Sequence, residues 1–324
     1  MRKYITPFII AAAVFCVWGF SGAFAPTHDV TREAHAAQNN DGKIKIIATI
    51  FPQYDFARAA AGDRADVTML VRPAAEIHSF EPTPRDIISI RNADVFIYIG
   101  GESDAWVDEI LESVDTSNMK VLRLMDYVNA VDEEVVEGMQ PEEEEEEEEA
   151  KDEHIWTSPR NAMLLTQAIA DGLSEKDPKN ADYYQANAKG YIAKLSELDG
   201  EFKAEVAGAK RKMIVFGERF PFRYFTDAYG LDYRAAFPGC STESDASAAT
   251  MAYLVRTVRD EKIPVVYTIE LSNGNIARAI AEQSGAEVLM LHSCHNLTRS
   301  DFESGETYYS LMKKNVDVLR KGLY

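Results

Sequence analysis

The segment YIAKLSELDGEFKAEV, residues 191–206, decides how this chain of 324 residues is organised. Its apolar side chains recur at spacings of three and four, which places them on one face of a helix; they are Tyr191, Leu195, Leu198, Phe202 and Val206. The helical pattern extends over residues 180–209 despite Gly190 and Gly200, and at about 1.5 Å per residue it predicts a rod of roughly 45 Å. A rod of this length is able to join two lobes stiffly.

Strand-like and helix-like segments alternate on both sides of this rod. The apolar, β-branched segments are residues 44–50, 67–71, 95–99, 121–124, 213–217, 232–237, 265–270 and 287–291. Helical patterns lie between or after them, near residues 52–62, 84–92, 104–114, 160–175, 220–229, 247–261, 273–284 and 304–322. Buried strands that alternate with helices predict parallel sheets covered by helices. We therefore expect an α/β fold of two parallel-sheet lobes joined by one long rigid helix, with a ligand in the cleft between the lobes.

The N-terminus has the pattern of a secretory signal. Arg2 and Lys3 precede an apolar run over residues 5–20, and small residues follow it. The run over residues 4–25 also has the length of a membrane-spanning helix, so an uncleaved anchor is the alternative. Both interpretations place the chain outside the cytoplasm, secreted and held at the outer face of the cytoplasmic membrane or in a periplasm.

These patterns divide the chain into five predicted segments. They are a signal peptide or N-terminal anchor at 1–25, a flexible tether at 26–42, an N-terminal lobe at 43–179, a linking helix at 180–211 and a C-terminal lobe at 212–324.

The formal net charge of −19 comes mostly from one segment. Residues 132–153 contain fourteen acidic side chains and one lysine, and eight consecutive glutamates stand at 142–149. Such a run repels itself and has no apolar face, so we expect a disordered acidic loop over residues 132–151. No basic stripe offers a surface to nucleic acid, and we expect no nucleic-acid partner.

Two cysteines, Cys240 and Cys294, lie in the second half of the chain. In an oxidising compartment an even pair favours a disulfide. The predicted bond would brace the loop that carries His292.

Four histidines fall at loop or strand-end positions of the two predicted lobes. His78 follows the second predicted strand, His154 precedes the last helix of the N-terminal lobe, and His292 and His295 follow the last strand. Histidines from both lobes that gather at strand ends predict a metal site across the cleft.

Several motifs carry a resemblance to a known family. EIHSFEPTPRD at 76–86 and DEHIWTSPRNA at 152–162 resemble the two ligand-bearing segments of the zinc-binding lipoprotein and adhesin group of ABC-transporter substrate-binding proteins. ADVFIYIGG at 93–101 and the Tyr224–Phe225 pair continue the likeness, which covers residues 44–324. The most similar subgroup is that of the zinc importers, in which an acidic or histidine-rich loop precedes the second ligand.

The resemblance implies a set of metal ligands. The family's first two ligand histidines correspond to His78 and His154, and its last ligand, usually an aspartate, corresponds to His292. The family's third ligand stands at the position of Arg219, whose side chain cannot bind a cation. We therefore expect His78, His154 and His292 to bind the metal, with water or a carboxylate in the fourth position.

Four neighbouring residues have further predicted roles. Glu218 and His295 are weaker candidates for the fourth ligand. Arg219 is expected to pair with an acid and to help hold the lobes together. Glu270 either orients a ligand histidine from behind or merely ends a strand before a capped helix.

The donor atoms indicate which metal fits. Three imidazoles with at most one carboxylate suit Zn²⁺, whereas Mn²⁺ prefers more carboxylate oxygen. The resemblance then implies a monomer that is not an enzyme, which captures Zn²⁺ with high affinity and delivers it to a membrane ABC permease. The alternatives are a Mn²⁺-binding transporter component, a surface adhesin and a secreted zinc hydrolase. The sequence contains no H-E-x-x-H or nucleophile motif in support of a hydrolase.

The acidic run lies directly before His154, so it is either a plain solvated loop or a weak collector of divalent cations. Deleting residues 137–150 is expected to leave one tight zinc site and to remove only weak additional metal, because the histidines define the tight site. A zinc titration of the deletion variant measures both classes of site. If the deletion removed the tight site, the histidines alone would not define it, contrary to this prediction.

Overall fold

Two parallel sheets, one in each half of the chain, form the framework of the protein. The computed structural model describes residues 42–77, 80–139, 151–241 and 245–324. The predicted signal peptide or anchor, the tether as far as residue 41, His78 and residues 140–150 lie outside the described residues.

The N-terminal sheet has two central strands that are apolar and largely buried, flanked by two edge strands that are partly exposed. Its strands are β1 (Ile44–Ala48), β2 (Ala65–Met69), β3 (Val95–Tyr98) and β4 (Lys120–Arg123). They lie in the order β2-β1-β3-β4, and all neighbouring pairs are parallel. The helices of this lobe are α1 (Phe51–Ala61), α2 (Pro84–Arg91), α3 (Trp106–Ser113) and α4 (Pro159–Lys176).

The C-terminal lobe repeats this topology after the long helix α5 (Ala181–Gly208). Its strands are β5 (Met213–Phe216), β6 (Asp232–Arg234), β7 (Val265–Thr268) and β8 (Glu287–Met290). Their order is β6-β5-β7-β8, again all parallel. The helices are α6 (Arg223–Tyr229), α7 (Ala248–Asp260), α8 (Asn275–Ser284), α9 (Arg299–Glu303) and α10 (Tyr308–Leu323). The prediction of two parallel-sheet α/β lobes is confirmed.

Helix α5 packs against both lobes along the predicted apolar stripe. It contacts α1 and α4 on the N-terminal side and α6 and α10 on the C-terminal side. Leu195, Leu198, Phe202 and Val206 are buried in one apolar core that continues through both lobes. The helix runs unbroken through Gly190 and Gly200, because burial of this stripe outweighs the roughly 1 kcal/mol that a helical glycine costs.

The described ends of the predicted acidic loop differ from the prediction of disorder. Glu133 accepts a hydrogen bond from the backbone N–H of Cys240 at 2.9 Å, and Met139 is buried in the core. Residues 132–139 are therefore held against the C-terminal lobe, because their side chains find partners there. For residues 140–150 disorder stays a prediction, and a deletion that begins at residue 140 spares the buried Met139.

None of the helices in the described part of the chain combines the length and the apolar character needed to cross a lipid bilayer.

Gly217, directly after β5, allows the sheet and helix α8 to approach closely. A Cβ atom at this position would lie 2.4 Å from the backbone nitrogen of Ala277. Gly217→Ala is therefore expected to lower the free energy of unfolding by about 1–3 kcal/mol through overpacking. Denaturant-induced unfolding measures this change.

Gly190→Ala is the matched control. A Cβ at Gly190 meets nothing within 4 Å, so this substitution is expected to stabilise the protein by about 0.5–1 kcal/mol. Equal effects of the two substitutions would contradict the packing argument.

Candidate metal centre

A cavity of about 430 Å³ lies between the lobes, where the chain leaves the carboxyl ends of β5, β7 and β8. The loop that follows β2 in the N-terminal lobe closes its other side. This is the position at which parallel sheets bind ligands. The polar side chains of its lining include His154, Glu218, Arg219, Glu270, His295 and Asn296.

His154 is completely buried beside this cavity. It directly precedes a short 3₁₀ turn, Ile155–Thr157, that leads into α4. Asp152 holds it in place: its Oδ1 accepts from the backbone N–H of His154 at 2.8 Å and lies 3.1 Å from the ring Nδ1. The ring therefore turns Nε2 away from Asp152.

His295 reaches the same point from the C-terminal lobe. The centroids of the His154 and His295 rings are 5.0 Å apart, and the planes of the rings are nearly perpendicular. The indole of Trp156 lies against both rings, at 5.4 Å from His154 and 4.9 Å from His295. Two imidazoles from different lobes thus lie side by side over one buried aromatic ring.

Glu153 adds a carboxylate to this pair. One ligand atom from each of Glu153, His154 and His295 lies within 4.8 Å of the others, which suits a shared metal ion. The Glu153 carboxylate also contacts the hydroxyl of Ser103 and accepts from its backbone N–H at 3.0 Å. A Cβ on Gly101 would lie 2.4 Å from both Cβ and Oε2 of Glu153, so any larger residue there would displace the Glu153 side chain.

Glu153 is a candidate ligand that the sequence motifs do not reveal. It stood in the DEHIW motif beside His154, but adjacent residues do not usually point to one site, and nothing in the pattern indicated that both do. The Gly100–Gly101 pair was the available signal, since it leaves room for the Glu153 side chain.

Buried carboxylates control the protonation of His154. Burial disfavours its imidazolium form, but the charges of Asp152, Glu153 and Glu133 outweigh this effect, and the pKa of His154 is raised above its usual value. A centre that attracts a proton in this way also favours a divalent cation.

Glu218 and Arg219 both line the cavity. The Glu218 carboxylate accepts from Thr268 Oγ1 at 3.2 Å and also contacts the hydroxyl of Ser272. Burial raises the pKa of Glu218. The guanidinium of Arg219 lies 3.4 Å from the carboxylate of Glu76 in the N-terminal lobe, so an ion pair spans the cleft.

Among the described residues, the group of ligand atoms around His154 does not include His292, whose ring Nδ1 lies 3.6 Å from Glu270. Among the described residues that line the cavity, His292 does not occur. Asn315 of α10 accepts from the backbone N–H of His292 at 2.9 Å and donates to the carbonyl of His292 at 2.7 Å. The ring Nδ1 of His292 accepts from the backbone N–H of Cys294 at 3.0 Å. The structure therefore brings His295, rather than the preferred candidate His292, to His154.

The predicted disulfide is not present, because Cys240 and Cys294 are both free thiols. Their surroundings differ: Cys240 lies near Glu153 and Glu133, whereas Cys294 is enclosed beside Glu270. Burial raises the pKa of both thiols well above the usual value. The loop after β8 is braced by hydrogen bonds instead.

Glu270 supplies three of these hydrogen bonds. Its carboxylate accepts from the N–H and the hydroxyl of Ser293, each at 2.7 Å, and from the N–H of His295 at 2.9 Å. It therefore positions His295 through the backbone.

Glu270→Gln is expected to weaken zinc binding by about 10–100-fold, the usual effect of losing a partner that orients a ligand. The amide would turn an N–H₂ group or a weaker acceptor towards these donors. A competition titration measures the affinity, and Glu306→Gln, on the same lobe but outside the cavity lining, is the control. Unchanged affinity in Glu270→Gln would contradict this role.

Comparison with known proteins matches residues 46–322 to the family model "Zinc-uptake complex component A periplasmic". The chain is 32% identical over 282 residues to the zinc-binding lipoprotein AdcA of Streptococcus pneumoniae, covering 87% of this chain and 56% of the relative. It is 30% identical over 295 residues to the high-affinity zinc uptake system protein ZnuA of Bacillus subtilis, covering 89% and 90%. The chain thus spans about half the length of the streptococcal relatives and nearly all of the Bacillus one.

Solved structures agree with this match. The Zn(II)-bound ZnuA-like domain of S. pneumoniae AdcA superposes with a TM-score of 0.73 at 30% identity, covering 87% of this chain and 99% of that one. The laminin-binding protein Lmb of Streptococcus agalactiae, described as having adhesin and metal transporting activity, has a TM-score of 0.73 at 25% identity, with 87% and 100% coverage.

These findings confirm the family resemblance inferred from the ligand motifs. They also confirm an extracytoplasmic location, since the family is described as periplasmic and relatives are lipoproteins. The family description is that of an uptake component, which confirms the prediction of a binding protein rather than an enzyme. The chain belongs to the ZnuA family, the periplasmic component A of the zinc-uptake complex.

Proposed function

We propose that this chain captures Zn²⁺ outside the cytoplasm and delivers it to a membrane ABC permease. The observation that carries the proposal is the cluster of the buried Glu153 and His154 with the half-buried His295, whose ligand atoms lie within 4.8 Å of one another at the interlobe cavity. Family membership and the zinc-binding relatives support the same function.

The donor chemistry favours zinc over manganese. Two imidazole nitrogens and one carboxylate oxygen match the nitrogen-rich, four-coordinate sites that Zn²⁺ prefers, whereas Mn²⁺ favours sites dominated by oxygen. His78, predicted from the sequence as a third imidazole, would complete such a set. Glu218 stays a weaker candidate for a ligand.

The proposed function consists of binding and releasing Zn²⁺. One chain supplies the cluster from its two lobes, so the proposed active form is a monomer. The continuous core along α5 opposes a large hinge motion, and release to the permease would then need only local movement of the loops around the cavity.

Substitution of the histidines tests the site. His154→Ala and His295→Ala are each expected to lower zinc affinity at least about 100-fold, more than the loss of a partner outside the ligand set usually costs. His292→Ala, the matched control from the same loop, is expected to have a much smaller effect. Metal analysis and a competition titration of the purified proteins measure stoichiometry and affinity.

Two results would overturn the proposal. A wild-type chain that bound no zinc tightly would remove the function, and hydrolytic activity of the zinc-loaded chain would favour the secreted hydrolase. If His292→Ala and His295→Ala lowered the zinc affinity equally, His292 would have to be counted among the ligands.

A further inference from the structure

Two loops from different lobes meet immediately beside His295. One is residues 72–77, which follow β2 in the N-terminal lobe; the other is residues 295–297, which follow β8 in the C-terminal lobe. The side-chain amide of Asn296 donates to the carbonyl of Arg72 at 3.1 Å and to that of Ala75 at 2.8 Å. One amide group therefore holds two backbone carbonyls of the opposite lobe.

All the hydrogen-bonding groups of this amide are engaged. Its Oδ1 accepts from the backbone N–H of Leu297 at 2.8 Å, and both carbonyl contacts use Nδ2. Leu297 extends the contact, since its carbonyl accepts from the N–H of Ala74 at 2.9 Å. Asn296 is 3% exposed, so water does not easily replace these bonds.

Backbone strain accompanies this contact on both sides. Ala74 has φ +65° and Cys294 has φ +60°, a left-handed conformation that is uncommon for residues other than glycine. Such conformations persist only where surrounding contacts impose them. The hydrogen bonds of Asn296 and Leu297 join these two loops to each other, in addition to the bonds of Glu270 and Asn315 within the C-terminal lobe.

We propose that Asn296 is a positioning residue of the metal centre, which couples loop 72–77 of the N-terminal lobe to His295. The inference rests on the proposed zinc function and extends it. Because Asn296 directly follows His295 and residues 75–77 of the opposite loop line the cavity, its amide fixes the position of His295 against the N-terminal lobe. Zinc affinity then depends on this contact, although Asn296 binds no metal.

Asn315 offers a matched comparison. It is also 3% exposed, and it too uses its amide to hold the loop after β8, accepting from the N–H of His292 and donating to its carbonyl. Its bonds stay within the C-terminal lobe. Asn296 and Asn315 thus share chemistry and burial, and differ in whether the bonds cross between the lobes.

The experiment compares Asn296→Asp with Asn315→Asp in the full chain. A carboxylate at 296 can still accept from Leu297 but repels the two carbonyls, so zinc affinity is expected to fall about 10–100-fold, mainly through faster dissociation. Asn315→Asp adds the same charge beside the same loop, and its affinity is expected to stay within about threefold of the wild type. Competition titration with Zn²⁺ measures the affinity of each variant, and thermal unfolding of the metal-free protein measures its stability.

A purely structural role predicts a different outcome. It would lower the melting temperature of both variants and change their zinc affinities equally or not at all. Asn296→Ser, which keeps one donor, is the milder variant should the aspartate prevent folding, and it is expected to lose part of the affinity. Wild-type affinity in both folded variants at position 296 overturns the inference, whereas absence of zinc binding in the wild type overturns the proposed function itself.

Discussion

One hydrogen bond between the lobes, from the indole Nε1 of Trp156 to the carbonyl of Ser293 at 2.9 Å, lies beneath the metal centre. Trp156 is fully buried, and its own carbonyl accepts from the hydroxyl of Tyr308 at 2.7 Å, so its polar groups are satisfied without water. His154 stands two residues before Trp156, and His295 two residues after Ser293. Together with the bonds of Glu270 and Asn296, this bond therefore sets the separation of the two imidazoles.

Burial and charge act together at this point. Asp152, Glu153 and the half-buried Glu133 surround the buried His154 with negative charge, where solvent screens charge only weakly. A divalent cation bound there would compensate this charge. The strongly acidic segment of the sequence thus contributes to the centre through residues at its two ends, namely Glu133, Asp152 and Glu153.

The fold was predictable because strands and helices have different periods. Most strands centre on short apolar or β-branched runs, and the stripe on α5 repeats at helical spacing along the helix. The histidines were also recognisable as candidates, since they occur at strand ends. Their ranking was not predictable: the positive φ of Cys294 turns the chain between His292 and His295, and no residue pattern indicates which of them then faces the cavity. The free thiols of Cys240 and Cys294 likewise depend on surroundings that spacing does not encode.

The sequence by itself determined the two-lobed α/β architecture, the rigid connection and the family, because these follow from local periodicity and from contiguous motifs. Only the tertiary structure decided that His295 joins His154, that Glu153 completes the cluster and that Asn296 ties the lobes together. These features depend on contacts between residues far apart in the chain, such as the 137 positions that separate Trp156 from Ser293. The packing of the two lobes sets the geometry of these contacts, and local sequence patterns do not specify it.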